Sequence, residues 1–286
     1  MSKLTEKKII EIFQNRLGNG GFVPEDVEFF KTGKKYFIVK VDTLVESTDA
    51  PPRAKLQDLA RKSLVSCISD FAAKGVKPVF GIISLTIPKE YSKLKIENLA
   101  GGFKKTAKEF QIKILGGDTN EGKELVITFS LFGTTKKIVN RSGAKTDHVI
   151  ITSGPFGYTG AGLSILLKNK KSSKKFGVRA KNAVFKPKCR LLFGLKNKKY
   201  LSSSMDSSDG LSTTLNEMSN QSKKKFVITT MPSDNDLYDF ATSNNLNPND
   251  LILNGGEEYE IVATASRSSL PDIKKHAKKH RIKLYE

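Results

Sequence analysis

The 286-residue sequence has no tryptophan, only two cysteines and far fewer acidic than basic residues. Cys67 and Cys189 lie far apart and lack the spacing of metal ligands, so we expect no disulfide framework, which suits a reducing compartment. The sequence also has no run of about 18 apolar residues that could span a bilayer. The N-terminal stretch MSKLTEKKIIEIFQNRLG lacks the continuous apolar core of a signal peptide. We therefore expect a soluble, cytoplasmic protein with no membrane partner.

Two common nucleotide-binding motifs are also missing, the P-loop G-x-x-x-x-G-K-[ST] and the G-x-G-x-x-G fingerprint. Any use of ATP therefore has to depend on another architecture. The 49 Lys and Arg residues against 29 Asp and Glu give a net charge of +20. Such a charge favours polyanions, which include nucleic acids, anionic membranes and phosphorylated small molecules. Because the lysines are scattered along the chain, a solvated basic surface is the simpler interpretation, and a nucleic-acid partner is not expected.

Hydrophobic periodicity predicts a mixed α/β fold. Residues 55–74 carry apolar side chains at the i, i+3, i+4, i+7 spacing of an amphipathic helix, and a second helix is predicted over about 93–110. Strands are predicted at 36–45, at 78–88, at the start of 112–122 before a turn, at 125–135 and at 226–232, whereas 18–30 is predicted to be loop. Because strands and helices alternate without a strict repeating unit, we expect the mixed α/β (α+β) class. A boundary near Thr146 predicts an N-terminal domain, 1–146, and a C-terminal α/β domain, 147–286.

Acidic residues recur at five places where an apolar segment ends beside small residues. These sites are VKVDTLVES (Asp42), CISDFAAKG (Asp70), LGGDTNEG (Asp118), MDSSDG (Asp206 and Asp209) and NGGEEYE (Glu257 and Glu258). A carboxylate in such a position can hold Mg²⁺, which takes a few carboxylates together with substrate phosphates. Adjacent glycines let phosphate oxygens approach backbone N–H groups. Each motif alone also fits a helix cap or a turn, but all five together indicate a cleft that binds metal and phosphate.

The ordered set of motifs resembles the thiamine-monophosphate kinase family, part of the aminoimidazole-ribonucleotide-synthetase-like superfamily. The matching stretches run in the family's order from about Pro24 to Val262 and are VDTLVES, SDFAAKGVKP, LGGDTNEG, RSGAKTD, TGAGL, DSSDGL and GGEEYEI. The resemblance implies a dimerising N-terminal sheet domain, a C-terminal α/β domain, and a cleft between them for ATP and several Mg²⁺ ions. The implied reaction moves the γ-phosphoryl group of ATP to thiamine phosphate, giving thiamine diphosphate, in a homodimeric cytoplasmic enzyme.

The resemblance also implies roles for individual residues. The implied metal ligands are Asp26, Asp42, Asp70, Asp118, Asp206 and Asp209. The implied ATP contacts are Gly117, Asp118, Arg141 and Ser208, and the implied substrate contacts are Asp49 and Glu257. No catalytic side chain is implied, because an acceptor phosphate is already ionised. Catalysis would then depend on positioning and on the neutralisation of phosphate charge by Mg²⁺ and an arginine.

The sequence departs from the family's pattern at several places. Glu25 stands where the family has an aspartate, Lys40 and Val41 stand where it has small hydroxylic residues, and Asp49 stands where it has a histidine. The last stretch, RIKLYE, is expected to provide neither the family's usual final strand nor its aromatic loop. Two alternatives stay open. The departures favour a related ATP-dependent enzyme with another acceptor, and the net charge of +20 favours a basic nucleotide- or nucleic-acid-binding protein without turnover.

Lys40 is the departure with the most direct structural consequence. In the predicted strand 36–45, residues two apart point to the same face, so Lys40 and Asp42 should project together toward the cleft. The Lys40 ammonium group would then lie near the carboxylates of Asp26 and Asp42 and could replace one Mg²⁺ ion. The alternative is that the side chain turns to solvent.

Overall fold

The framework of the protein consists of two β-sheets. The computed structural model describes residues 4–19 and 21–286, apart from the side chain of Lys7. The larger sheet contains β1 (Glu28–Thr32), β2 (Lys35–Val45), β3 (Pro78–Pro88), β4 (Lys113–Gly122) and β5 (Val126–Thr135), in the spatial order β1-β2-β5-β3-β4. Only β3 and β4 pair in parallel within it. The smaller sheet contains β6 (Val149–Thr152), β7 (Leu201–Asp206) and β8 (Ile261–Ala265), in the antiparallel order β6-β8-β7.

Helices pack against both sheets and confirm the predicted mixed α/β class. They are α1 (Glu6–Arg16), α2 (Glu46–Asp49), α3 (Leu56–Ala73), α4 (Lys93–Phe110), α5 (Tyr158–Lys168), α6 (Lys174–Phe185), α7 (Leu191–Asn197), α8 (Leu211–Ser222), α9 (Asn235–Ser243), α10 (Pro248–Asn254) and α11 (Leu270–Lys279). Within the described residues, no helix combines the length and apolarity that a membrane crossing needs. The larger sheet ends before position 146 and the smaller one begins after it, but the division into two domains stays a prediction.

Helix α3 lies between the two sheets. Its apolar side chains recur with helical spacing, and Leu64, Ile68 and Phe71 are fully buried. The helix packs against β2 and β5 of the larger sheet and against β7 and β8 of the smaller one. At its C-terminal end the backbone of α7 lies against it, because a Cβ atom on Gly194 would lie 1.8 Å from the carbonyl oxygen of Ala72. One hydrophobic core therefore extends from one sheet to the other through α3.

The larger sheet has one covered and one uncovered face. Helices α3 and α4 pack on the face to which Ile38 and Leu44 point. The opposite face, which we call the open face, exposes large apolar side chains. These are Phe30 (58 % exposed), Val41 (57 %), Phe80 (42 %) and Ile82 (39 %), and strand pairing places them on one side of the sheet.

Three predictions of local structure are wrong. Residues 18–30 are not all loop, because Glu28 begins β1, which pairs with β2 across a short turn. The predicted turn within 112–122 is absent, because β4 continues to Gly122 in parallel with β3. Gly117 permits this pairing, since a Cβ atom there would lie 1.6 Å from the carbonyl oxygen of Ile83. The apolar run 226–232 is not a strand, because it follows α8 without pairing to either sheet.

Candidate active site

An acidic pocket lies where β2, α3 and the C-terminal end of β7 meet. Its volume is about 300 Å³. The predicted site residues that line it are Asp42, Asp49, Asp70, Asp206, Ser208, Asp209 and Glu257. Two lysines that share the lining are Lys40 and Lys62. The fold thus brings together acidic residues that are up to about two hundred positions apart in the sequence, in agreement with the predicted cleft.

Two carboxylates of the pocket lining, those of Asp70 and Asp206, converge with that of Asp26, which lies behind the pocket. Asp26 lies two residues before β1, Asp70 lies in the last turn of α3, and Asp206 ends β7. One carboxylate oxygen from each lies within 4.8 Å of the other two, and the three residues are 2, 6 and 3 % exposed. We call Asp26, Asp70 and Asp206 the acidic triad. Such a set of close carboxylate oxygens is the donor chemistry that Mg²⁺ prefers.

The environment of the triad penalises unneutralised negative charge. Burial, followed by the charge of Asp26, raises the pKa of Asp206 to about 6, against the opposing charges of Lys40 and Arg141. Burial and the Asp206 carboxylate raise the pKa of Asp70 well above its ordinary value, against the charge of Lys40. A divalent cation at the triad would therefore displace protons as it binds. The hydroxyl of Ser207, the residue after Asp206, is buried and has no hydrogen-bond partner in the part of the chain that the structure describes. Its oxygen is therefore a further candidate metal ligand next to Asp206 in the sequence.

Two cations pair with Asp26 on the side of the triad away from the pocket. The Arg141 guanidinium group donates from Nε to Asp26 Oδ1 at 2.6 Å and pairs through its terminal nitrogen with the same oxygen at 2.5 Å. The fully buried Lys74 pairs with Glu25 and lies 2.9 Å from Asp26 Oδ2. The backbone N–H of Arg141 also donates to both Glu25 carboxylate oxygens at 3.1 Å. Glu25 thus completes an ion-pair network behind Asp26.

Lys40 contacts the triad from the pocket side. Its Nζ lies 3.0 Å from Asp70 Oδ2, and its side chain is 25 % exposed. The predicted orientation of Lys40 toward the cleft is therefore confirmed, although its partner is Asp70 rather than Asp26 or Asp42. The alternative that Lys40 turns to solvent is wrong.

The residues that the resemblance implies as substrate contacts, Asp49 and Glu257, form a second group in the pocket with Lys62. Lys62 Nζ lies 2.7 Å from Glu257 Oε1 and donates to the backbone oxygen of Asp49 at 2.7 Å. The Asp49 carboxylate accepts a hydrogen bond from the Val45 backbone N–H at 2.7 Å. One of its two oxygens is therefore already engaged within the chain. The Glu257 N–H donates to the backbone oxygen of Ser208 at 2.6 Å. This bond ties the Glu257 turn to the loop that follows β7.

Gly117 and Asp118 do not lie in the pocket. Both are exposed on β4, the edge strand of the larger sheet, and Asp118 Oδ2 accepts a hydrogen bond from Asn120 Nδ2 at 2.8 Å. Gly117 occupies the same row of paired residues as Asp42, three strands away, which corresponds to about 14 Å at the usual strand spacing. Asp118, the next residue, projects from the open face, so its roles in metal and ATP binding stay predictions.

The sequence reasoning missed two lysines of this site, Lys62 and Lys74. Lys74 follows directly after the last residue of α3, in the apolar context DFAAKGV. A lysine enclosed by apolar residues at a helix end is a signal for a buried ion pair, because a buried ammonium group requires a compensating charge. Lys62 gives a similar signal in the sequence, since its helical spacing places it on the apolar side of α3. In the structure it is 5 % exposed.

The pocket and its fold can be compared with known proteins. The family model described as "AIR synthase related protein, N-terminal domain" matches residues 24–135. A thiamine-monophosphate kinase of Nitrosopumilus maritimus is 56 % identical over 286 residues, which cover 100 % of this chain and 90 % of the relative. A second thiamine-monophosphate kinase, from Pyrococcus horikoshii, is 30 % identical over 275 residues, covering 96 % of this chain and 86 % of the relative.

Solved structures confirm the fold class that the resemblance implied. The structure of AaThiL complexed with AMPPCP and TMP superposes with a TM-score of 0.87 at 24 % sequence identity, covering 94 % of this chain and 87 % of that one. At this identity the similarity concerns the fold alone. The near-complete coverage of the Nitrosopumilus relative at 56 % identity carries the assignment. The chain therefore belongs to the thiamine-monophosphate kinase family.

Proposed function

We propose that this chain catalyses the Mg²⁺-dependent transfer of the γ-phosphoryl group of ATP to thiamine phosphate, giving thiamine diphosphate. The observation that carries the proposal is the 56 % identity to a thiamine-monophosphate kinase along the whole chain. AaThiL, which shares the fold, was solved with AMPPCP and TMP. These relatives favour a kinase over the two alternatives, a related enzyme with another acceptor and a basic binding protein without turnover.

The residues of the acidic pocket fit a requirement for Mg²⁺. Asp26 and Asp206 would hold one ion through carboxylate oxygens, and Asp42 and Asp209 line the same pocket. When bound, Mg²⁺ neutralises phosphate charge so that two anionic reactants can approach each other. This set agrees with the ligands that the resemblance implies, apart from Asp70, which pairs with Lys40, and Asp118, which lies outside the pocket.

The chain's own residues supply positioning and fixed charge. Arg141 is held rigidly by Asp26, so its remaining guanidinium donors are oriented before a phosphate arrives. Lys62 and Glu257 lie at the other side of the pocket, where the resemblance implies the thiamine phosphate contacts. No general base is needed, because the acceptor oxygen of a phosphate is already ionised at neutral pH. Catalysis then depends on orientation and electrostatic stabilisation.

A second copy of the chain would cover the open face. Four large apolar side chains of the larger sheet, Phe30, Val41, Phe80 and Ile82, are 39–58 % exposed. An apolar sheet face of this kind is typical of an interface in a homo-oligomer. We propose a homodimer that packs through this face. Because Asp118 projects from the same face, dimer formation would also enclose this predicted ligand, which lies outside the pocket of the single chain.

The activity is tested by incubating the purified protein with ATP, MgCl₂ and thiamine phosphate and separating the products by chromatography. We expect thiamine diphosphate and ADP in equal amounts, and none when EDTA is present. The matched control is Asp206→Asn, which removes one carboxylate of the triad and should abolish product formation. Absence of thiamine diphosphate from the wild-type protein at every Mg²⁺ concentration would reject the proposal.

A further inference from the structure

Lys40 is a cation that the fold itself places in the acidic pocket. We propose that its ammonium group occupies the Asp70 carboxylate permanently, so that the chain binds one divalent ion fewer than the same pocket would with a small residue at position 40. The inference rests on the proposed function, because that function makes Mg²⁺ the cation that competes for Asp70.

The backbone fixes Lys40 in this place. It lies in the middle of β2, and the alternation of the strand points it to the covered face together with Ile38, Asp42 and Leu44. Helix α3 packs on that face and presents Asp70 from its last turn. The resulting distance from Lys40 Nζ to Asp70 Oδ2 is 3.0 Å. Regular secondary structure holds the backbone of both partners, so the pair forms at the cost of side-chain entropy alone.

The other cations near the triad are committed to different carboxylates. Lys74 pairs with Glu25 and Asp26, and Arg141 pairs with Asp26. Among the ion pairs of the described residues, Asp70 has Lys40 as its partner. If Lys40 left, a carboxylate that is 6 % exposed would lose its compensating charge, which is strongly unfavourable.

A divalent ion on Asp70 would have to coexist with or displace this ammonium group. Mg²⁺ binds carboxylate oxygens at about 2.0–2.1 Å, so an ion on Asp70 would lie within a few ångströms of Lys40 Nζ. Like charges at that separation repel strongly inside a protein. The simplest arrangement leaves Asp70 to Lys40 and the remaining carboxylates to the metal.

The proposal is tested by counting bound ions. Mn²⁺ binding would be measured by electron paramagnetic resonance of the free ion, without nucleotide, for wild type, Lys40→Ser and Lys40→Met. Lys40→Met removes the charge but keeps the approximate length of the side chain. We expect each variant to bind one more Mn²⁺ per chain than wild type. Equal counts in all three proteins would overturn the proposal.

Lys62→Met is the matched control. Lys62 lines the same pocket but pairs with Glu257 rather than with the triad. We expect it to bind as many ions as wild type. An equal gain in Lys62→Met would show that any loss of positive charge increases metal binding, and this result would also overturn the proposal.

A measurement on the wild-type protein covers the case in which the variants fail to fold. A protected lysine ammonium group gives a nitrogen resonance in nuclear magnetic resonance, and Lys40→Arg, which keeps the charge, identifies the resonance by its absence. We expect the Lys40 resonance to remain protected at saturating Mg²⁺. Its loss on addition of Mg²⁺ would show that the side chain leaves Asp70, contrary to the proposal.

Failure of this proposal can be distinguished from failure of the proposed function. A wild-type protein that forms thiamine diphosphate but binds as many Mn²⁺ ions as Lys40→Ser rejects the role of Lys40 alone. A wild-type protein that forms no thiamine diphosphate rejects the kinase activity, whereas the ion count still decides the role of Lys40.

Discussion

The buried Glu258 makes the stability of this protein depend on pH in a direction that can be measured. Its Oε1 accepts hydrogen bonds from the backbone N–H groups of Gly157 and Thr159, at 2.7 and 3.1 Å, and from the Thr159 hydroxyl at 2.9 Å. These bonds cap the N-terminus of α5. Burial is the largest influence and raises the pKa of Glu258 from 4.5 to about 7, although the hydrogen bonds from Thr159 and Gly157 oppose it.

The sign and size of the effect follow from this pKa. Because the folded protein holds the Glu258 proton more tightly than the unfolded chain does, the favourable contribution to the free energy of unfolding is complete below pH 4.5 and is lost as the pH rises through about 7. At about 1.4 kcal/mol per pKa unit, the loss amounts to about 3 kcal/mol. Glu258→Gln keeps an oxygen that accepts the same hydrogen bonds and cannot ionise. We therefore expect the variant to gain stability relative to wild type by about 3 kcal/mol between about pH 4 and pH 8.

Urea unfolding at several pH values measures this difference. The metal-free protein would be used, with EDTA present, so that ion binding does not contribute. Glu97→Gln is a suitable control, because Glu97 is exposed in α4 and its variant should follow the wild-type pH dependence. A stability difference between Glu258→Gln and wild type that does not change with pH would refute the reasoning, since it would place the ionisation of Glu258 outside this range.

Further predictions concern the pocket, the ion pairs and the open face. Asp118→Asn and Asp209→Asn should each lower the rate of thiamine diphosphate formation by about 100-fold or more. Their melting temperatures should change little, because both residues are exposed. Retained turnover with a lower melting temperature would instead indicate that the two residues are structural caps. Lys74→Met should lower the free energy of unfolding by about 3–5 kcal/mol, because it leaves the Glu25 and Asp26 carboxylates without their buried partner. A loss below about 1 kcal/mol in urea unfolding would contradict the role of Lys74 as that partner. Val41→Glu places a charge on the open face and should convert dimer to monomer in sedimentation velocity, whereas a monomeric wild-type protein would rule out the proposed dimer.

Local patterns predicted the elements that form the pocket. The apolar spacing of 55–74 corresponds to α3, and the predicted strand 78–88 has the same bounds as β3. Asp70 was recognisable because an anion near the C-terminal end of a helix is disfavoured by about 0.3–1 kcal/mol through the helix dipole. A residue that destabilises its own helix indicates that another structure requires it, and here that structure is the acidic triad.

Long-range pairing was not predictable from the same patterns. The apolar run 226–232 was predicted to be a strand and is not one, whereas the glycine-rich run 112–122 was predicted to end in a turn and continues as β4. A strand forms where a neighbouring backbone offers hydrogen bonds, and not wherever side chains favour it. The pairing of Lys74 with Glu25 and Asp26 joins residues about fifty positions apart. No local spacing in the sequence reports such a contact.

The position of α3 between the two sheets has a mechanical consequence. A hinge between the halves of the chain would have to separate α3 from β2 and β5 or from β7 and β8, and either motion would expose the continuous core. Sliding of α7 along α3 would have to break the close contact of Gly194 with the Ala72 carbonyl. We therefore expect the two halves to move together. We also expect substrates to enter and products to leave through motion of the loops around the pocket, without a large domain closure.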